Sequence, residues 1–110
     1  MATTIASRKQ KARKLQNAVA DMIRAWCEGL QPTDIKTATM GERGSDIIFS
    51  PLAQEILPFD AIECKCQERL NIWDALKQTA KHGKISLLFF NRNRTDIYVA
   101  LKAEDFFGML

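Results

Sequence analysis

Glu63, Lys65 and Gln67 occupy alternate positions of the stretch PFDAIECKCQE, residues 58–68. The stretch reads as a strand, and strand side chains alternate, so Ile62, Cys64 and Cys66 share one face and Glu63, Lys65 and Gln67 share the other. The first set suits a core. Charged groups at the edge of a core are costly unless they are paired or bound to a metal, so three polar groups on one face suggest an assembled site. The plain alternative is an edge strand with one solvated face, on which the Glu-x-Lys pair has no chemical role.

Asp46 bears on the choice. It opens a second strand, SDIIFS, just after the loop GERG (Gly41–Gly44), which its two glycines keep permissive. If the strand of Glu63 pairs with that of Asp46, the two carboxylates approach each other, and facing carboxylates repel unless a cation lies between them. That is the condition for a Mg²⁺ site built from Asp46, Glu63 and the backbone carbonyl of Cys64, completed by water or a substrate phosphate. Lys65, on the same face, would stand beside the bound water and the scissile phosphate, where it can orient and help deprotonate the water or stabilise charge on the phosphate oxygens. Gln67 either binds that water or a phosphate, or lies at a solvated strand end.

The surrounding elements must position these groups. From Ser7 to Cys27 the apolar residues Leu15, Val19, Met22, Ile23 and Trp26 make one helical stripe, stopped by Gly29 and Pro32. IKTATM (Ile35–Met40), SDIIFS and FDAIECK read as three strands, with a loop around Pro51 and Pro58 between the last two. NIWDALKQTAKHG reads as a second helix, with Asn71 as N-cap, Asp74 as its capping-box acid and Gly83 past its end. Leu70, Trp73, Leu76 or Lys77, and Ala80 supply a weaker apolar face, Trp73 packing on the sheet. ISLLFF is the run of a central strand covered on both faces, DIYVAL follows the turn NRNRT, and AEDFFGML ends the chain as a short helix or turn packing Phe106 and Phe107. The sum is an α/β fold: one domain over residues 1–110, a central mixed β-sheet flanked by helices in the order αβββαβ plus one strand, with residues 1–12 as a basic, flexible amino end.

The 16 Lys+Arg against 13 Asp+Glu give a net charge of only +3, but the basic residues are unevenly placed. Arg8, Lys9, Lys11, Arg13 and Lys14 crowd the amino end, which suits nucleic acid or another anionic surface as well as a solvated helix end. The three cysteines are an odd number. A disulfide between Cys64 and Cys66 on one strand would be badly strained, so free thiols in a reducing cytosol are expected. His82 is the sole histidine, too little for a zinc site of about four ligands, and it reads as a capping or surface residue. No apolar run is long enough to span a bilayer, so a soluble, cytoplasmic protein is expected.

Asp46, then Glu63-x-Lys65 within IECK, in the order helix, three strands, helix, strand, resembles the PD-(D/E)XK nuclease superfamily. The GERGSDIIFSP loop and strand and the helix LNIWDALKQ narrow the likeness to small bacteriophage and archaeal Holliday junction resolvase-like endonucleases. The likeness runs from about Met40 to Lys81. It implies a restriction-endonuclease-like core and Mg²⁺-dependent (or Mn²⁺-dependent) hydrolysis of DNA phosphodiesters, with Asp46 and Glu63 as metal ligands and Lys65 beside the nucleophilic water. Ser45 stands where the superfamily often has proline. Many resolvase-like members also carry a glutamate on the first helix; here Asp21, Glu28 and the loop residue Glu42 are the candidates.

The expectation is therefore a metal-dependent endodeoxyribonuclease acting on branched DNA, most directly four-way junctions, in phage replication or recombination within a host cell. Phosphate contacts would come from Arg8, Lys9, Lys11, Arg13, Arg43, Arg92 and Arg94. Symmetric resolution of a junction needs two active sites, hence a homodimer, with DFFGML as a candidate interface. The competing readings are a nickase or other DNA nuclease of the same superfamily, and a non-catalytic DNA-binding module with the same fold.

Overall fold

The computed structural model describes residues 5–39 and 44–110. Arg43 and Glu42, a DNA-contact candidate and an acid candidate from the sequence, lie outside the described residues.

The first helix, α1 (Ile5–Trp26), buries Leu15, Val19 and Ile23 as expected, together with Gln16 and Ala20. Met22 and Trp26 depart from the expected stripe and are largely exposed. At about 100° per residue the buried arc centres between Val19 and Gln16. Met22 therefore falls off its edge, while Trp26, the last helical residue, runs past the sheet and stacks on Phe59 with ring centroids 6.2 Å apart.

A 3₁₀ turn (Pro32–Asp34) leads into β1 (Ile35–Thr37), which pairs antiparallel with β2 (Ile47–Phe49) in the register Ile35↔Phe49 and Thr37↔Ile47. The loop expected around Pro51 is instead a short helix, α2 (Pro51–Ile56). Ser50 caps it by accepting the Ala53 N–H at 3.1 Å, and its hydroxyl donates to Asp34 at 2.7 Å. Proline at the first helical position costs nothing because that N–H has no partner in a helix.

β3 (Ala61–Cys66) pairs parallel with β4 (Ser86–Asn91), which pairs antiparallel with β5 (Tyr98–Ala100), so β4 is central and this sheet is mixed. The expected single sheet is in fact two hydrogen-bonded sheets, β1-β2 and β3-β4-β5. Side-chain and loop contacts stitch them. The Asp46 N–H donates to the Ile62 carbonyl at 2.8 Å, and Ser45 Oγ accepts the Ile62 N–H at 2.9 Å. A serine hydroxyl thus takes the place of a backbone rung.

Between β3 and β4 runs α3 (Ile72–Thr79), capped by Asn71 Oδ1, which accepts the Asp74 N–H at 3.1 Å. Its covered face is Ile72, Ala75, Leu76 and Thr79, one turn-pattern away from the expected one. Trp73, expected on the sheet, is 82% exposed. Gly83 does not cap α3 with a positive φ. Its hydrogen sits against β3: a Cβ there would lie 2.3 Å from Asp60 Oδ1 and 2.9 Å from the Ala61 Cβ.

The last helix, α4 (Ala103–Met109), leaves Phe106 and Phe107 largely exposed, contrary to the packing expected for them, with the two rings edge to face at 5.3 Å.

The main core lies between α1 and the sheet face that carries Ile62, Cys64 and Leu87, and extends to Ile35, Ile47 and Phe49. On the opposite face α3 covers Ala61 and Leu88. By strand parity that second face is the one that holds Glu63 and Lys65.

Candidate active site

Hydrogen bonding at the outer edge of β3 decides the geometry. Both the N–H and the carbonyl of Ile62 are engaged from the β2 side, by Ser45 and Asp46. Residues two apart on a strand aim their backbone groups the same way, so Cys64 turns its N–H and its carbonyl toward that edge as well. The Cys64 N–H donates to Asp46 Oδ2 at 2.7 Å. Asp46 precedes β2 by one residue, and this bond holds its carboxylate over the middle of β3.

Glu63 and Lys65 share a face, and Lys65 Nζ lies 3.5 Å from Glu63 Oε1. The Glu63 side chain is only 13% exposed. His82, on the segment that returns from α3 to β4, brings Nε2 to 3.9 Å from Glu63 Oε2. Read from the sequence as a capping or surface residue, it is exposed as expected, but its contact with Glu63 was not foreseen. Its distance along the chain from Asp46 and Glu63 gave no signal; only the parallel β3-α3-β4 crossover carries it there.

Burial pushes the Asp46 carboxyl above the usual carboxylate range, against the pull of the Cys64 N–H and the nearby Lys65 and His82 charges. Glu63 is raised too, first by burial and then by repulsion from Asp46, with Lys65 and His82 opposing. Asp46 is thus close enough to disfavour the ionisation of Glu63, an electrostatic state that a cation relieves. The Cys64 thiol, buried beneath them on the core face, is raised strongly by desolvation and by both carboxylates, so it stays a neutral packing group. All three cysteines are free.

The donor set can be tested against the metal it was expected to hold. Among the described residues no group of three or more His, Cys, Asp or Glu side chains is gathered around a point. The set is two carboxylates plus the Cys64 carbonyl on the same edge. It fits Mg²⁺, which takes one or two carboxylates and keeps several waters, and does not fit a protein cage of the zinc type.

Asp21 and Glu28 are not brought to this site. α1 covers the opposite face of the sheet, and Asp21 pairs with Arg24 at 2.9 Å while Arg24 also donates to the Ile35 carbonyl. Gln67, just past β3, lies at the lip of two hollows. One, of about 320 Å³, is lined by Arg8, Lys11, Cys66, Glu68 and Asn93; the other, of about 300 Å³, includes Arg92. Lys9 and Arg13 are exposed on α1 and Arg94 on the β4-β5 turn, where it takes a positive φ of 61°. They join none of these groups.

No protein-family model matches the chain, and no curated protein or solved structure matches it either. Among the described residues no helix is long and apolar enough to cross a membrane.

Proposed function

We propose that the protein is a Mg²⁺-dependent DNA endonuclease with a restriction-endonuclease-like core, acting on branched DNA and most directly on four-way junctions. The observation that carries this reading is the convergence of Asp46, Glu63 and Lys65 at one edge of β3. Two partly desolvated carboxylates with raised pKa values face a lysine 3.5 Å from one of them, beside the Cys64 carbonyl on the same strand edge.

Asp46, Glu63 and the Cys64 carbonyl would hold the metal, which when bound supplies Lewis-acid polarisation of the phosphate and a more acidic water. Lys65 places its ammonium beside Glu63, where it orients the attacking water and offsets charge on the phosphate oxygens. His82, with Nε2 3.9 Å from Glu63 Oε2, adds an imidazole beside that carboxylate. Arg8, Lys11 and Arg92, at the hollows beyond Gln67, are positioned to hold flanking phosphates. A non-catalytic module is the weaker reading, because binding alone gives no reason to keep two mutually repelling acids beside a lysine.

Two cuts in one junction need two active sites. An apolar cleft of about 370 Å³ between α1 and α4, lined by Met22, Trp26, Phe59, Phe106, Met109 and Leu110, supports a homodimer through this face. It includes the carboxyl-terminal residues expected to serve as an interface.

The test is cleavage of labelled four-way junction, linear duplex and single strand in Mg²⁺, beside Lys65→Ala and EDTA controls. Paired nicks in the junction with the duplex spared are the expected result. Equal degradation of all three substrates would leave the chemistry and remove the junction role; DNA binding without cleavage in Mg²⁺ or Mn²⁺ would overturn the nuclease assignment.

A further inference from the structure

Lys65, Phe90 and Tyr98 are successive register partners across β3, β4 and β5. Their side chains therefore form one row on the face that carries Glu63. Neighbouring strands are about 4.8 Å apart, so the Tyr98 backbone stands about 10 Å from that of Lys65. The Phe90 and Tyr98 rings stack with centroids 6.1 Å apart and an interplanar angle of 30°. Phe90 is partly buried beneath, while Tyr98, on the edge strand, remains 57% exposed. The Tyr98 ring is thus backed by Phe90 and remains largely accessible.

The hollow beside it, of about 300 Å³, also contains Arg92 and Asn91, and the Asn91 Oδ1 is buried without a protein partner. It shares Gln67 and Glu68 with the hollow that contains Arg8 and Lys11. Glu68 is the one acid of the pair, and its Oε1 accepts the Asn93 N–H at 3.2 Å. Among the described residues no carboxylate is in ion-pair contact with Arg8, Lys11 or Arg92. A guanidinium in the same hollow as the aromatic rings matches the alternation of phosphate and base in a nucleic-acid strand.

We propose that the hollow beside Tyr98 binds an unpaired nucleotide of the substrate, its base stacked on Tyr98 and its flanking phosphate beside Arg92. The placement beside the cut rests on the nuclease reading above; the binding itself does not. A paired base is already stacked within its duplex and cannot lie on the Tyr98 ring without leaving it. The site thus selects DNA that has an unpaired base about one nucleotide from the scissile phosphate, as a branch point or a frayed junction arm does. Specificity for structure over sequence follows, because every base offers a π face.

The experiment measures fluorescence anisotropy of a labelled single strand and of a blunt duplex of the same length with the full chain in EDTA. Native protein, Tyr98→Ala and Tyr98→Phe are compared, with thermal melts to establish that each is folded. Tyr98→Ala is expected to weaken single-strand binding about tenfold and to leave duplex binding unchanged, while Tyr98→Phe keeps native affinity. Equal loss on both probes, no loss on either, or a change in molecular mass with Tyr98→Ala would overturn the subsite. Cleavage assays separate the two readings. A nuclease indifferent to Tyr98→Ala in these binding measurements sinks the subsite alone, and Tyr98-dependent single-strand binding by a protein that cuts nothing sinks the nuclease reading alone.

Discussion

The Cys64 backbone N–H donates to Asp46 Oδ2 at 2.7 Å, so the strand that carries Glu63 and Lys65 is tied at its centre to the acid that faces them. The bond fixes one oxygen of Asp46 at the strand that carries Glu63. Position and charge are set by one contact.

Lys65→Ala is expected to reduce junction cleavage by about 10²-fold or more, the usual cost of removing a group that acts on the water or the transition-state charge. Junction affinity in EDTA stays near native. Single-turnover cleavage beside anisotropy checks this, and a variant that cuts at the native rate removes Lys65 from the chemistry. His82→Ala is expected to fall between native and Lys65→Ala.

Asp46→Asn is expected to abolish cleavage and yet raise the melting temperature at pH 7, since an amide oxygen still accepts the Cys64 N–H and the repulsion with Glu63 is gone. Because Asp46 and Glu63 have folded pKa values above their unfolded ones, the folded state binds more protons between the two. Their contribution therefore makes the protein less stable as pH rises from the ordinary carboxylate range through the raised values, and is level above them. Asp34 works the other way: the Ser50 hydroxyl and the Gln31 N–H hold it below its usual range, so its contribution is lost on acidification. Melts of native and Asp46→Asn across that window isolate the site, whose signature is a gap between the two curves that widens with pH.

Gly83→Ala is expected to destabilise the fold by about 2 kcal/mol, in the range for a forced overpacking. The added carbon meets a carboxylate that cannot turn aside cheaply. Asp60 accepts the backbone N–H groups of Lys84 and Ile85, both at 3.0 Å, and so ties the start of β3 to the start of β4. Urea unfolding measures the loss, and cleavage should fall with it because His82 is the next residue.

Replacing Arg8 and Lys11 together by alanine is expected to weaken DNA binding and to lower the slope of log affinity against log salt by about two, one for each phosphate contact. Lys9→Ala with Arg13→Ala, whose side chains are exposed away from the hollows, is the comparison. Equal effects from both pairs would mean a diffuse basic surface with no defined phosphate position.

Phe106→Asp is expected to halve the mass seen by light scattering by charging the apolar cleft between α1 and α4. A native mass of one chain would remove the dimer from the proposal.

Two of the candidate site's residues, Glu63 and Lys65, were legible in the sequence because strand parity is local: Ile62 and Cys64 inward, Glu63 and Lys65 outward follow from a period of two. The α1 core positions, the Asn71 cap and the apolar run of β4 were legible for the same reason, each being a pattern within a few residues. What required the tertiary structure was every relation between distant segments. His82 reaches Glu63 only through the parallel crossover. Ser45 replaces a backbone rung between two sheets that the sequence presented as one. Trp73, Trp26, Phe106 and Phe107 carry the apolar character of core residues, and whether such rings are covered depends on how far the facing element extends, which no local pattern records. Tyr98 stands in line with Lys65 because two separate registers, β3 with β4 and β4 with β5, happen to align them. Periodicity assigns a side chain to a face; only the packing of the elements decides what that face meets.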